Sequence, residues 1–506
     1  MQRMYINIDC NSVVDPFLHH VTENDNITKD MLYPFVDQYV GTCVTDLIFN
    51  NYCQSSITKS EVCEDFETKY NKEYENGIKV DYKSLDFLRT KLKLKNEFGI
   101  DFFGVWLERS REQGFRTWMS IRMNDSHCPW DETCWLRDEF FYEARKNGWT
   151  LGEQYGYYGI NYNYKYEQIR KRMLDYIDEQ LLRYNVDGLE LDFMREIFCF
   201  DYLNEDKNEC IDIMNGFMRD VKAIVLNAEK KWNHEIKIMV RLSRNTEDCL
   251  KMGFDASAWI RENTADIIVP SPRWASSDSG IDIAAWKDFA GGGEVTACVE
   301  TLLDFRKNCI CVVSTEVARG LAASYLAKGS DGIYFYNYFS NPLEKNNDAS
   351  ELECHPYKRN REVYNTCGNT EKIFISPLRF VIIGQRDEYM GVSAPWCPLP
   401  AETGDAEFEI VTGTIPSDKK VSLIVGTESE EIKAFVNGIC CQNHQAADLS
   451  DIYGMDKQPA NYMYDGVAYI KYEIKSEWLD EYKQVIKLES DSKTTIHWIE
   501  IDVVQK

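Results

Sequence analysis

A chain of 506 residues, 44% of them hydrophobic, is long for one domain and apolar enough for ordinary cores, so a large and a smaller domain are expected. Its 57 basic and 83 acidic residues give a net charge of −26, which disfavours nucleic acid and anionic membrane as partners. No stretch approaches the roughly 20 apolar residues of a membrane span, and the first residues lack the basic-then-apolar layout of a secretion signal.

In chain order, strands are predicted at 4–11, 45–50, 115–123, 188–193, 236–242, 266–269, 295–299 and 332–339. Helices are predicted at 104–113, 166–184, 217–232, 256–263 and 317–328, several with apolar residues at three- and four-residue spacing. Strand and helix alternating eight times is the pattern of a (β/α)8 barrel, expected over residues 1–370. The junctions 184–192 and 328–337 resemble each other, each a helix, an Asp-Gly turn and a strand. Segments 52–94 and 124–165 are too long for simple connections and are expected to build the rim above strands two and three. Their aromatic residues, among them Trp130, Trp135, Tyr155, Tyr157, Tyr158 and Tyr162, suit a sugar or aglycone surface, or a packed lid. From about residue 373 short alternating segments take over, at 421–426, 432–436, 467–474, 484–488 and 495–503. They predict an all-β, sandwich-like domain over 371–506 that buttresses the barrel.

Seventeen cysteines, odd in number and irregular in spacing, with Cys440 and Cys441 adjacent, read as reduced thiols of a cytoplasmic protein. A secreted chain shorn of its signal would look the same. No CxxC occurs and the seven histidines form no HExxH, so neither a metal nor another cofactor is expected.

The stretch Val186-Asp187-Gly188-Leu189-Glu190-Leu191-Asp192-Phe193-Met194-Arg195 carries the strongest chemical signal. Successive strand side chains point to opposite faces, so Glu190 and Asp192 share one face and Leu189, Leu191 and Phe193 the other. Two acids on one side of a buried strand need partners or a function. Asn7 and Asp9 alternate with Ile6 and Ile8 on strand one, and Ser120, Arg122 and Asn124 alternate with Met119, Ile121 and Met123 on strand three, before the chain turns through Asp125 and Ser126 to His127. Arg195, Arg241, Arg244, Arg273, Glu300 and Asn337 fall at or just beyond the ends of later strands. Any one of them reads equally well as a structural tie, but convergence of so many on one mouth predicts an active site there.

No lysine stands at a strand end for Schiff-base chemistry. The Gly291-Gly292-Gly293 run precedes strand seven, on the face opposite a phosphate-binding turn. Glycosidic hydrolysis, which needs a positioned acid and a positioned base or nucleophile, fits the available Asp, Glu and His.

Here a family resemblance enters. Arg122-Met123-Asn124-Asp125-Ser126-His127, with Asp9 on strand one, Arg195 after the Asp-Gly-Leu-Glu-Leu-Asp-Phe-Met stretch and Asn337 on strand eight, resembles the active site of the glycoside hydrolase family 156 sialidases. The resemblance implies a (β/α)8 barrel with a β-rich C-terminal region and an inverting reaction. It implies Asp9 as general base on water, His127 as general acid, and Arg122, Arg195 and Asn337 as substrate-holding groups. Further substrate contacts are expected from Asn124, Glu190, Asp192, Arg241 and Glu300. The expected partner is a sialylated carbohydrate, with a homodimer possible. Two alternatives stand beside this one: an exo-glycosidase for uronic or neutral sugars using Glu190, Asp192 or Glu300, and a non-catalytic carbohydrate-binding barrel.

Overall fold

The computed structural model describes residues 2–10, 14–24, 26–64, 86–131, 134, 136–272, 277–300, 302–306, 309–312, 314–343, 357–382, 398–404, 407–447 and 466–506. Eight parallel strands close into one barrel. They are β1 (Arg3–Ile8), β2 (Asp46–Tyr52), β3 (Arg116–Arg122), β4 (Gly188–Asp192), β5 (Lys237–Leu242), β6 (Ile267–Pro270), β7 (Glu294–Glu300) and β10 (Gly332–Tyr336). An antiparallel hairpin, β8 (Leu302–Arg306) and β9 (Cys309–Val312), leaves the mouth directly after β7. The barrel closes where β10 pairs with both β7 and β1. Each expected barrel strand is present; the hairpin was not expected.

Helices fill the connections, among them Phe102–Glu112 before β3, Glu167–Arg183 before β4, Lys207–Trp232 before β5 and Thr315–Ala327 before β10. Helix Lys207–Trp232 begins well before the expected residue 217 because Asp206 caps it. Its carboxylate accepts from the backbone N–H groups of Asn208 and Glu209 at 2.9 and 3.0 Å. Polar residues in the first turns hide the apolar period there. The helix stops at Asn233, whose φ of 58° is left-handed.

Inside the barrel, Tyr5, Ile48, Trp118, Met239, Ile267, Val269, Cys298, Tyr334 and Tyr336 form a buried cluster separate from the main core. Trp118 pairs in register with Gly188, and a Cβ on Gly188 would come within 2.1 Å of an indole carbon. Glycine at that position admits the indole to the barrel interior, where its Nε1 donates to Asp46 Oδ1 at 2.8 Å. Nearer the C-terminal ends the inward positions turn polar: Ser120 and Arg122 on β3, Glu190 and Asp192 on β4, Arg241 on β5, Glu300 on β7. The register aligns Arg122 with Asp192 and Asp192 with Arg241 across three adjacent strands. A hydrophobic plug thus supports a charged mouth, the end where barrel chemistry sits.

The C-terminal part carries two antiparallel sheets. One orders β11 (Leu378–Val381), β20 (Thr495–Gln505), β14 (Lys419–Thr427), β18 (Ala468–Ile474) and β17 (His444–Ala446), with β12 (Ala401–Glu402) also on β20. The other orders β13 (Glu407–Val411), β19 (Lys483–Glu489), β15 (Lys433–Val436) and β16 (Ile439–Cys440). Burial alternates along β19, with Gln484, Ile486 and Leu488 inside, the period of a half-buried strand. On the barrel side, a Cβ on Gly320 of helix Thr315–Ala327 would collide with the Arg379 carbonyl, so helix and β11 meet at backbone distance.

Candidate active site

One unbroken chain of polar contacts crosses the mouth. Arg122, at the end of β3, donates from Nη2 to Asp9 Oδ2 at 2.7 Å and from Nη1 to Asp125 Oδ2 at 3.0 Å. Asp125 Oδ1 accepts the backbone N–H of His127 at 3.0 Å and also contacts His127 Nδ1. His127 Nε2 lies 2.8 Å from Arg195 Nη2, and Arg195 Nη1 donates to Glu196 Oε1 at 3.1 Å. The Asp125 side chain bends back onto the backbone two residues ahead, the local turn that aspartate makes readily. It thereby fixes the loop and the ring together. Burial alone would raise the Asp125 carboxyl, but His127, Arg122 and Arg195 together hold it well below the usual carboxylate range. An ionised Asp125 takes the Nδ1–H proton as a hydrogen bond and leaves Nε2 as the working nitrogen.

A second cluster lies beside the first. Arg241 donates from Nη1 to Asp192 Oδ1 and Oδ2 at 3.0 and 3.1 Å, from Nε to Ser271 Oγ at 3.0 Å, and from Nη2 to Glu300 Oε1. Its guanidinium sits 3.7 Å from the centre of the Tyr336 ring. Asp192 Oδ1 also accepts the backbone N–H groups of Met194 and Arg195 at 3.0 and 2.9 Å, so this carboxylate shapes the turn that delivers Arg195. One guanidinium between two carboxyls leaves one of them to hold a proton. Burial pushes Glu300 up to about 8, against the pull of Arg241. Glu190, deeper in the barrel and bonded to Ser120 Oγ at 2.6 Å, is pushed up to about 7 by burial and by Asp192.

Several residues expected to touch substrate make contacts within the protein itself. Asn124 donates to the carbonyls of Tyr162 and Phe198 at 3.1 and 3.0 Å, and its Oδ1 accepts the N–H of Tyr162 at 2.8 Å. Its amide therefore ties two loops together and has little left for a sugar. Glu190, Asp192 and Arg241 are occupied by the partners just named and support the mouth from below. Arg122, with both terminal nitrogens on carboxylates of this chain, joins Asp9 to the histidine loop. Arg244 contacts Asp278 and donates to the Gly280 carbonyl at 3.2 Å, a loop tie. Arg273 and Trp135 lie outside the described residues.

Asn337, expected on strand eight, lies one residue past its end. It follows β10 two residues beyond the last registered pair with β1, Ile6 with Phe335, and so stands beside the end of the Asp9 strand. Its φ is 50°, a left-handed conformation that asparagine tolerates. Its Oδ1 is buried and has no hydrogen-bond partner among the described residues. A buried acceptor left open at a mouth is costly unless something else supplies a donor. Sequence reasoning passed over Asp125 and Glu196 as functional groups; the spacing of Asp125 two residues before His127 was the available signal for the first. Among the described residues no three His, Cys, Asp or Glu side chains form a metal-binding group.

No family model matches the sequence, and no curated protein matches it. Solved structures do. An endo-β-1,4-mannanase from Thermotoga petrophila is 12% identical over 99% of this chain and 97% of that chain, with a TM-score of 0.45. The PgaB (BpsB) glycoside hydrolase domain from Bordetella bronchiseptica is 9% identical over 72% and 99%, with a TM-score of 0.43. A glycoside hydrolase family 18 N-acetylglucosaminidase from Paenibacillus barengoltzii is 10% identical over 72% and 99%, with a TM-score of 0.36.

Proposed function

We propose that this protein is a glycoside hydrolase and, within that class, an inverting exo-sialidase in which Asp9 is the general base and His127 the general acid. The observation that carries the reading is the contact chain from Asp9 through Arg122 and Asp125 to His127 and Arg195. It links one carboxylate and one imidazole, the two groups a single displacement needs, through a shared arginine and aspartate.

In the proposed reaction a water oxygen attacks the anomeric carbon while Asp9 accepts its proton. The bond from that carbon to the leaving oxygen breaks, and His127 Nε2 gives that oxygen a proton. A sialoside bears a carboxylate on its anomeric carbon. A nucleophilic carboxylate brought to about 4 Å from it would meet roughly 4 kcal/mol of repulsion at an effective dielectric of 20. Neutral water avoids most of that penalty. Arg195 is the arginine suited to the substrate carboxylate, since its Nη2 rests on an imidazole nitrogen, a weaker partner than an anion. The open Asn337 Oδ1 suits a hydroxyl or amide N–H of the sugar.

A second reading has one observation in its favour. Glu300, with its carboxyl raised to about 8, holds its proton at neutral pH as a general acid does, and Glu190, raised to about 7, is close to half protonated there. Both are fully buried, and Glu300 faces Arg241, which favours a supporting role. Assays on α-linked sialyllactose and on uronic and neutral glycosides separate the readings. Sialic acid release that disappears in His127→Ala supports the first. Activity on another glycoside that survives His127→Ala and is lost in Glu300→Gln supports the second, and binding without turnover on any glycoside overturns both.

A further inference from the structure

Asn50, on β2, carries an amide whose orientation is fixed and whose acceptor is open. Its Nδ2 donates to the backbone carbonyls of Tyr52 at 3.1 Å and Ser120 at 3.4 Å. Only the nitrogen end of an amide can meet two carbonyls, so the oxygen end faces away from both. That Oδ1 is buried, and it has no hydrogen-bond partner among the described residues. Strand parity aims the side chain inward: Ile48, two residues earlier, belongs to the cluster inside the barrel, while Leu47 and Phe49 pack in the main core. The same parity puts Asn7 and Asp9 inside on β1, where Tyr5 joins the inner cluster and Ile6 and Ile8 the main core. β1 and β2 pair through Ile8 with Phe49, and one residue further along both strands Asp9 stands beside Asn50. Asn7 Oδ1 is likewise buried with no hydrogen-bond partner among the described residues. Open acceptors buried beside a carboxylate carry the full cost of their desolvation unless a donor joins them. Water, with two hydrogens to give, is the small molecule that such a set of oxygens takes.

We propose that Asn50 Oδ1 and the Asp9 carboxylate together hold the attacking water, each accepting one of its hydrogens. The inference rests on the assignment of Asp9 as general base above. Asp9 takes one hydrogen as a proton while the water oxygen bonds to the anomeric carbon. The second hydrogen stays on that oxygen, becomes that of the anomeric hydroxyl of the product, and keeps its hydrogen bond to Asn50 throughout. With both hydrogens committed, a lone pair of the water oxygen is left to face the carbon, the orientation that attack requires. A neutral amide does this without adding an anion beside the substrate carboxylate, as a second acid at this position would.

The test compares two variants of the same shape. Asn50→Leu and Asn50→Asp both lose the Nδ2 bonds to Tyr52 and Ser120, but only the second keeps an acceptor. In steady-state kinetics on sialyllactose, Asn50→Leu lowers kcat about 10- to 100-fold and leaves KM within about threefold, and Asn50→Asp recovers most of the loss. The Leu variant loses the same factor on an aryl sialoside, since water attacks whichever group leaves. A kcat unmoved in Asn50→Leu, or equal losses in the two variants, overturns the proposal. If the unaltered protein hydrolyses neither substrate, the sialidase assignment fails on its own, and a high-resolution crystal structure then decides the water site. An ordered water bonded to both Asn50 Oδ1 and the Asp9 carboxylate supports it, and no water there overturns it.

Discussion

Arg195 Nη2 lies 2.8 Å from His127 Nε2 while Asp125 holds the other nitrogen of the same ring. With Nδ1–H given to Asp125, Nε2 accepts from the guanidinium, and a proton on Nε2 would face an N–H head-on. On the assignment proposed above, His127 would serve as an acid only once Arg195 turns away. A substrate carboxylate would supply the reason for it to turn, so that recognition and acid catalysis would share one arginine.

Arg195→Met is accordingly expected to lower kcat/KM for a sialoside by about 100-fold, the scale of one or two charge-assisted hydrogen bonds at ~1.5–3 kcal/mol each. Arg195→Lys is expected to fall between the two, since lysine keeps the charge and loses the planar fork. Steady-state kinetics on one sialoside checks both. A Met variant within threefold of the unaltered protein contradicts the assignment.

The two reacting groups respond differently to the leaving group. His127→Ala is expected to cost about 100- to 10,000-fold on sialyllactose and far less on an aryl sialoside whose phenol leaves without a proton. Asp9→Ala is expected to cost a similar factor on both, because activation of water is needed in either case. Parallel kinetics on the two substrates read this directly, and equal losses for both variants on both substrates contradict the separation of roles.

All eight barrel strands were legible because alternating apolar and polar residues bounded by turns survive in short segments whose two faces meet different surroundings. The mouth was legible as a set of polar residues at strand ends. Which of them contact each other was not, because pairing across the barrel depends on register: Arg122, Asp192 and Arg241 come together only once β3, β4 and β5 are aligned. Asn124, expected to touch substrate as part of the Arg122–His127 motif, has partners, Tyr162 and Phe198, that arrive from distant loops no local pattern announces. Strands β11 and β13 were missed, although the equally short β6 and β15 were expected, so length alone does not decide legibility. Helix Lys207–Trp232 was shortened because a polar first stretch, stabilised by its Asp206 cap, conceals the helical repeat.

Glu300 links protonation to stability. The unfolded chain ionises it near the ordinary carboxylate value of ~4.3, the folded chain only near about 8. Between those values the folded state holds the extra proton. Its contribution is therefore complete below about pH 4.3 and is lost as pH rises through about 8. Glutamine accepts from Arg241 as Glu300 does but cannot ionise. The melting temperature of Glu300→Gln relative to the unaltered protein is expected to climb between pH 5 and pH 9, and thermal melts by circular dichroism at several pH values measure it. A difference independent of pH contradicts a protonated Glu300.

The central claim is a single displacement in which Asp9 activates water on the face opposite His127. Proton NMR of the purified protein turning over α-linked sialyllactose tests it most directly, since the first-formed anomer appears before mutarotation blurs it. β-Sialic acid as the initial product, absent with His127→Ala, is the predicted result. Initial release of the α anomer, or no release at any pH tried, contradicts it.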